Sequence, residues 1–334
     1  MPYTIIDKFW YAKHPLRWIL LPFTLMYCML TFFRRIYLQW FGQQQYPVPI
    51  IVVGNLTVGG VGKTPLVIAL ANQLQSRGLR VGIVSRGYGA TIKQYPHEVH
   101  RESDAALVGD EPLLLAKKTD CPVVIAPKRA KAIQYLLDNH QSQIIISDDG
   151  LQHYAMGRAV EIVVIDGLRG LGNGFCIPAG PLREGVGRLQ QVDFIVVNGA
   201  SSASTFPLET LKKPVYQMAF LPGQLTQLVS GKTVDVSELQ GPIAAVAAIG
   251  HPKRFFTTLK GMGMVFKEYP FSDHHRFQLE DFSFKEKVVV MTEKDAVKCV
   301  SFATEQMYFL PIDVKIDDQF WDVLCSHNQL KGHV

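Results

Sequence analysis

Between Val52 and Pro65 the chain reads VVGNLTVGGVGKTP, and these are the residue types that hold the phosphates of a nucleotide. Such a loop needs a glycine-rich turn whose backbone N–H groups face phosphate oxygens, a lysine that reaches the β and γ phosphates, and a hydroxyl for Mg2+. Thr57, Val58, Gly59, Gly60, Val61, Gly62, Lys63 and Thr64 form the candidate cradle, with Lys63 as its cation and Thr64 as its hydroxyl. The common G-x-x-x-x-G-K-[ST] spacing would put glycine where this chain has Thr57, so the match is imperfect. A glycine-rich turn without a phosphate role is the plainer alternative. The flanks weigh against it: Ile50 to Val53 is a β-branched run suited to a buried strand, and Pro65 to Arg77 has helical spacing. Leu66, Leu70 and Leu74 share one face of that helix, and Gly78 stands where a C-terminal cap belongs.

Further acids and bases stand at the ends of other apolar runs. IIISDDGLQH puts Asp148 and Asp149 directly after a strand, where a phosphate-loop enzyme keeps the acid that holds Mg2+. Adjacent carboxylates on an extended chain point to different sides, so the two divide the work rather than share one ligand site. Gln152 and His153 follow closely enough to face the same pocket, although Asp-Asp-Gly alone is also an ordinary turn. VGDEPLLLAKK sets Asp110 and Glu111 at the start of a helix, where the helix dipole by itself favours acids. GPLREG carries Arg183 and Glu184 on a Gly/Pro-framed loop, with a solvated ion pair as the bland alternative. FSDHHRF supplies Asp273, His274, His275 and Arg276. Two histidines with no third spaced ligand and no cysteine read as a surface turn or an acid/base histidine rather than zinc.

The elements that must position these groups alternate strand and helix. Strands are expected at Leu79 to Ser85 (leading into RGYG), Cys121 to Ile125, Gln143 to Ser147, Val160 to Asp166 and Asp193 to Asn198. The expected fold is α/β, a doubly wound, mostly parallel sheet of the P-loop NTPase kind, whose ligands gather at the carboxyl ends of the strands. GASSASTFPLETLKKP, Gly199 to Pro214, is small and polar and reads as a connector. A second, smaller α/β unit follows with strands at Ile243 to Ile249, Val265 to Tyr269 and Val288 to Met291. The expected organisation is an N-terminal segment (1–45), an ATP-binding kinase domain (46–200), a smaller lid (201–310) and a tail (311–334) that packs back on the first domain.

The length, 334 residues, fits about two domains. A net charge of +5 suits an anionic substrate or a membrane surface, and the absence of a long Lys/Arg run excludes a nucleic-acid stripe. Cys28, Cys121, Cys176, Cys299 and Cys325 are scattered without a C-x-x-C pair and read as free thiols in a reducing compartment. WILLPFTLMYCMLTFF, Trp18 to Phe33, holds no charge over 16 positions and is flanked by Lys13, His14 and Arg17 before and Arg34 and Arg35 after. Trp10, Tyr11, Trp18 and Trp40 near its ends suit headgroup level, so a membrane-associated helix is expected. A buried core helix and a cleaved signal are the alternatives, the signal weakened by the lack of a small-residue cleavage site.

GNLTVGGVGKTP, SRGYG, GDEP, DDGLQH, IDGLRGLGNG, PAGPLRE, GHPKRFF, DHH and TEKDAVK occur here in this order. The chain thereby resembles the tetraacyldisaccharide 4'-kinase (lipid A 4'-kinase) family, from the N-terminal segment to about Leu310. The loop alone is common to many NTPases, whereas DDGLQH, GPLRE and TEKDAVK in that order are specific. The resemblance implies an inner-membrane enzyme of Gram-negative bacteria, its body cytoplasmic, that moves the γ-phosphate of ATP to the 4'-hydroxyl of a tetraacylated glucosamine disaccharide 1-phosphate. It implies Asp110 as the base, with His274 as its partner across the cleft. Thr64, Asp149, Gln152 and Glu184 fall to Mg2+, with Asp148 beside them on the acceptor side. Arg183 falls to charge on the transferring group, and Arg86, Tyr88 and Arg129 to the disaccharide or its phosphate. ATP and Mg2+ are the implied cofactors, the glycolipid and the bilayer the implied partners, with no nucleic acid and no obligate protein partner. A partner-binding ATPase switch is the rival class, but it would carry a lysine where this chain has Val58.

Overall fold

In the computed structural model, which describes residues 9–11, 15, 17–199 and 213–333, each apolar run that the sequence marks as a strand is one. Helix α1 (Arg17–Phe41) precedes the first half of a sheet. That half contains β1 (Ile50–Gly54), α2 (Lys63–Ser76), β2 (Val81–Ser85), β3 (His97–Val99), α3 (Ala105–Val108) and α4 (Asp110–Lys118). It continues through β4 (Val123–Ile125), α5 (Arg129–His140), β5 (Ile144–Asp148), β6 (Val160–Asp166), β7 (Phe194–Asn198) and β8 (Val215–Pro222). A second group follows: β9 (Leu225–Gln227), β10 (Thr233–Val234), β11 (Ile243–Ala247), α6 (Pro252–Gly261), β12 (Lys267–Pro270), β13 (Val288–Thr292), α7 (Glu293–Cys299) and β14 (Met307–Leu310). The chain then returns through β15 (Ile312–Ile316) and α8 (Asp318–Cys325).

The larger sheet has the order β15-β8-β7-β6-β1-β5-β2-β4-β3, parallel from β8 through β4 with one antiparallel strand at each edge. Its strands read as unbroken apolar runs because both faces are covered. Ile51 and Val53 of β1 face Leu66, Leu70 and Leu74 of α2, whereas Ile50 and Val52 face Ile133 and Leu136 of α5. The smaller sheet has the order β10-β9-β14-β13-β11-β12 and a core of its own around Ala245, Phe256, Leu259 and Val290.

Sheet membership moves one expected boundary. Residues 215–222, counted above with the smaller unit, sit in the larger sheet because β8 buries Tyr216 and Met218 on that core. The C-terminal residues rejoin it: β15 pairs antiparallel with β8, and Phe320 of α8 meets Phe194, Tyr216 and Trp321 at ring distances of 5.6, 5.2 and 5.0 Å. Phe320→Ala is therefore expected to cost ~3–5 kcal/mol, seen as a lower denaturant midpoint with unchanged slope. The connector, apart from Gly199, Lys213 and Pro214, lies outside the described residues, as do Lys13 and His14.

Helix α1 extends beyond the apolar run that marked it. Its 25 residues span about 37 Å at 1.5 Å per residue. Thr24 alone is buried; its Oγ1 donates to Cys176 O at 3.3 Å and accepts from Ala179 N at 3.1 Å. Tyr27 Oη donates to Arg183 O at 3.0 Å, so one stripe of the helix docks beside the Arg183 loop. Phe23 and Leu30 are 56% and 63% exposed, which rules out a buried core helix.

Candidate active site

The cradle is built by pairing at one end and by glycine at the other. Thr57 bridges antiparallel to Leu182, and Val58 N donates to Pro181 O at 2.9 Å. Thr57 has no positive φ, so the position that is glycine in the common pattern needs none here. Gly59 and Gly62 do, at φ 98° and 97°. A Cβ on Gly62 would also meet Asn198 Nδ2 at 2.5 Å, the amide that donates to Val61 O at 2.8 Å. Helix α2 then starts at Lys63, so its first N–H groups and the half-buried Thr64 border the loop, as anion binding requires.

Lys63 is held ready for a phosphate. Its Nζ donates to Asn55 Oδ1 at 3.1 Å and lies 3.4 Å from Asp149 Oδ1. Asn55 in turn donates to Thr57 O and Gly59 O, at 2.7 and 3.3 Å, and so ties the lysine to the loop. Asp149 sits in the left-handed region at φ 47°. Arg183 Nη1 reaches both Asp149 oxygens at 3.2 Å, and Gln152 Nε2 donates to Asn55 O at 3.2 Å. Burial alone would raise Asp149, but Lys63 and Arg183 override it and hold the carboxyl below its ordinary value. Glu184 is engaged elsewhere, by Tyr154 and Arg188, and its Oε1 has no partner.

Asp148 is 1% exposed and neither carboxylate oxygen has a partner. Burial first, then the charges of Glu111 and Asp149, push it up to about 7 against Lys63 and Arg129. A group that holds its proton more tightly folded than unfolded lowers stability as pH rises between its two pKa values, here from about 4 to about 7. Asp148→Asn is expected to add ~1–3 kcal/mol at pH 8 and less at pH 5, read from thermal unfolding at both pH values, while lowering activity.

Asp110 and His274 come from different sheets and meet. Asp110 is 6% exposed at the start of α4, and His274 Nδ1 lies 3.1 and 3.0 Å from its two oxygens. An ionised carboxylate only accepts, so Nδ1 carries the proton. Burial would raise Asp110, but the His274 hydrogen bond and the charges of Lys294, His274 and Lys298 hold it at about 2. His274 is raised by its bond to Asp110, against burial and Lys294. The sheets also touch beyond this pair: a Cβ on Gly250 would come within 2.8 Å of Gly60 N, and Arg276 Nη2 donates to Gly89 O at 3.3 Å.

Tyr88 lies beside His274, ring centres 4.9 Å apart, and is 62% exposed. Arg86 is exposed, whereas Arg129 is buried and donates to Ala126 O and Asp148 O at 3.2 and 3.5 Å. Burial brings Arg129 down to about 10. Burial, with Arg129, Arg158, Arg34 and Arg86, brings His153 down to about 4 and leaves it neutral. The structure thus gathers Lys63, Asp149, Arg183 and Gln152 in one group and Asp110 and His274 in another, while Glu184 pairs with Tyr154 and Arg188. Sequence reasoning passed over Asn55 and Lys294, though both lie inside quoted motifs.

A family model described as tetraacyldisaccharide-1-P 4'-kinase matches residues 16–329. The chain belongs to that family. A tetraacyldisaccharide 4'-kinase of Legionella pneumophila (strain Corby) is 53% identical over 328 residues, 98% of each chain. One of Nitrosococcus oceani is 42% identical over 324 residues, 95% of this chain and 92% of the relative. The crystal structure of LpxK from Aquifex aeolicus in complex with ATP aligns with a TM-score of 0.78 at 29% identity, covering 94% of this chain and 99% of that one. The α/β fold is thus shared with that structure, and this chain carries an N-terminal apolar helix.

Proposed function

We propose that the chain phosphorylates the 4'-hydroxyl of a tetraacylated glucosamine disaccharide 1-phosphate with the γ-phosphate of ATP, a step of lipid A biosynthesis. The family match carries the reaction class, and the Asp110–His274 contact at 3.0 Å carries the chemistry. The Gly59–Thr64 cradle and Lys63 bind the β and γ phosphates. Asp110 takes the proton of the acceptor hydroxyl, late in a loose phosphoryl transfer, and His274 orients that carboxylate. Arg183 offsets charge on the transferring group. Arg86, Tyr88 and Arg129, with Asp148, face the disaccharide and its phosphate.

The residues present fit Mg2+. Glu184 Oε1 is buried without a partner, and Asp149 and Thr64 supply a carboxylate and a hydroxyl next to Lys63. Among the described residues no three His, Cys, Asp or Glu side chains converge. That suits an ion bound through one or two carboxylates plus nucleotide phosphates. Thr64, Asp149, Gln152 and Glu184 would hold it, and it would neutralise phosphate charge. Residues between β9 and β14 act as a lid whose approach completes the site and excludes water. Helix α1 places the cleft at headgroup height on the cytoplasmic face of the inner membrane, where the acyl chains stay in the bilayer.

A partner-binding switch is not favoured, since it leaves the Asp110–His274 pair without a task. Transfer from γ-labelled ATP to purified acceptor in detergent tests the reading. Label on the 4' oxygen supports it; ATP hydrolysis with unlabelled lipid overturns it.

A further inference from the structure

The mechanism leaves a lysine at the junction of the sheets without a task. Lys294, in the first turn of α7, sends its Nζ to 2.8 Å from Glu111 Oε1, 3.8 Å from Asp110 Oδ2 and 3.9 Å from Asp273 Oδ1. Its side chain is 18% exposed. Glu111 and Asp110 belong to α4 of the larger sheet, so this ammonium reaches across the same junction that His274 crosses.

We propose that Lys294 is a positioning residue for the phosphoryl transfer, one that keeps the Asp110–His274 pair in the single charge state able to accept the hydroxyl proton. The inference rests on reading Asp110 as the base. The pair titrates as a unit, and its proton-accepting form is a carboxylate facing a neutral imidazole. A cation close to both favours the carboxylate and disfavours the imidazolium, so both effects select that form. Of the other groups facing the pair, Lys298 also favours the carboxylate, but less than Lys294 does. Asp273 Oδ1 lies 3.8 Å from His274 Nε2 and, like Asp110 itself, favours imidazolium. Glu111 is occupied by Lys294, and Lys298 is held by Asp295 at 2.6 Å. The Tyr88 ring adds no full charge. Lys294 is therefore the counterweight nearest the pair.

Local structure fixes this lysine relative to His274. Thr292 caps α7 by accepting from Asp295 N at 3.1 Å. Asp295 Oδ2 accepts from Ala248 N at 2.9 Å, and Ala248 O accepts from His274 N at 3.3 Å. One residue after β11 thus anchors both the helix that carries Lys294 and the loop that carries His274. The two arrive at Asp110 together.

The test is the pH dependence of kcat/KM, from pH 5.5 to 9.5, for wild type, Lys294→Gln, Lys294→Arg and Asp110→Asn. Wild type should show a rate that climbs with pH as His274 loses its proton. Lys294→Gln should move that midpoint upward by about one unit and lower the rate at pH 7 by ~10-fold. Lys294→Arg, which keeps the charge, should restore the wild-type midpoint even if its rate stays lower. Thermal unfolding of each variant separates lost folding from lost positioning. A Lys294→Gln rate that falls evenly at every pH, with the midpoint unmoved, makes Lys294 a brace between sheets and overturns the proposal. A wild-type profile in Lys294→Gln does the same while Asp110→Asn remains inactive. Full activity in Asp110→Asn would instead overturn the parent reading of the base.

Discussion

Asp110→Asn is expected to lower kcat by ~10²–10⁴-fold, the range for removing a positioned general base, while leaving the affinity for ATP nearly unchanged. Asparagine keeps the shape of the side chain and so keeps the start of α4, where Asp110 Oδ1 accepts from Glu111 N at 2.9 Å. What it loses is the site that receives a proton. ATP affinity is spared because the cradle contacts run through Lys63 and Asn55, which Asp110 does not touch. His274→Ala should cost less, ~10-fold, since His274 acts on the carboxylate and not on the hydroxyl. A stability signature accompanies the kinetic one. Asp110 is held at about 2 in the folded chain, below its unfolded value near 4, so it contributes stability that is present above pH 4 and lost as pH falls toward 2. The variant should therefore be less stable than wild type at pH 7, with the gap closing in acid. Steady-state kinetics with both substrates varied, and unfolding at pH 7 and near pH 2, read the two effects.

The parts of this molecule legible in the sequence are those whose environment is uniform. Runs such as IIVVG and VEIVVID are buried along their whole length, so composition alone marks them. The loop between β1 and α2 is legible because phosphate chemistry dictates its residue types. Strands with mixed surroundings are not legible: β15 reads IDVKI with its first four residues only half-buried or exposed, and β8 alternates buried Tyr216 and Met218 with exposed Gln217 and Ala219. β15 is the edge strand and its pairing with β8 joins segments about 90 residues apart, which no local pattern announces. Asn55 was missed for a related reason. An asparagine after a strand resembles any turn residue until the structure shows Lys63 resting on its carbonyl. Lys294 stood in plain view within TEKDAVK, but its three carboxylate neighbours are brought together only by the meeting of the sheets. Arg183 and Glu184 illustrate the reverse. Adjacent opposite charges suggest a pair, yet Arg183 turns to Asp149 and Glu184 to Tyr154 and Arg188.

Lys63→Ala should reduce kcat/KM by ~10²–10³-fold through lost phosphate stabilisation, and, unlike Asp110→Asn, it should raise the KM for ATP as well. That contrast assigns the two residues to different substrates within one assay. Arginine is not expected to rescue. The ammonium is confined between Asn55 at 3.1 Å and Asp149 at 3.4 Å, and a rigid guanidinium fork is too wide for a point-charge site. The loss should reach stability too, because Lys63 opposes the rise of Asp148 and holds Asp149 down. Without it Arg183 and Arg129 alone face two adjacent carboxylates, that of Asp148 fully buried, so Lys63→Ala should unfold at a lower temperature at pH 8. Adding Asp148→Asn should recover much of that loss, and the excess over the two separate effects measures the coupling directly. Activity should not return with it. A cradle whose cation is stabilised by acids in the absence of nucleotide is poised to exchange one set of anions for another, and the double variant separates the acids that preload Lys63 from the phosphates it serves.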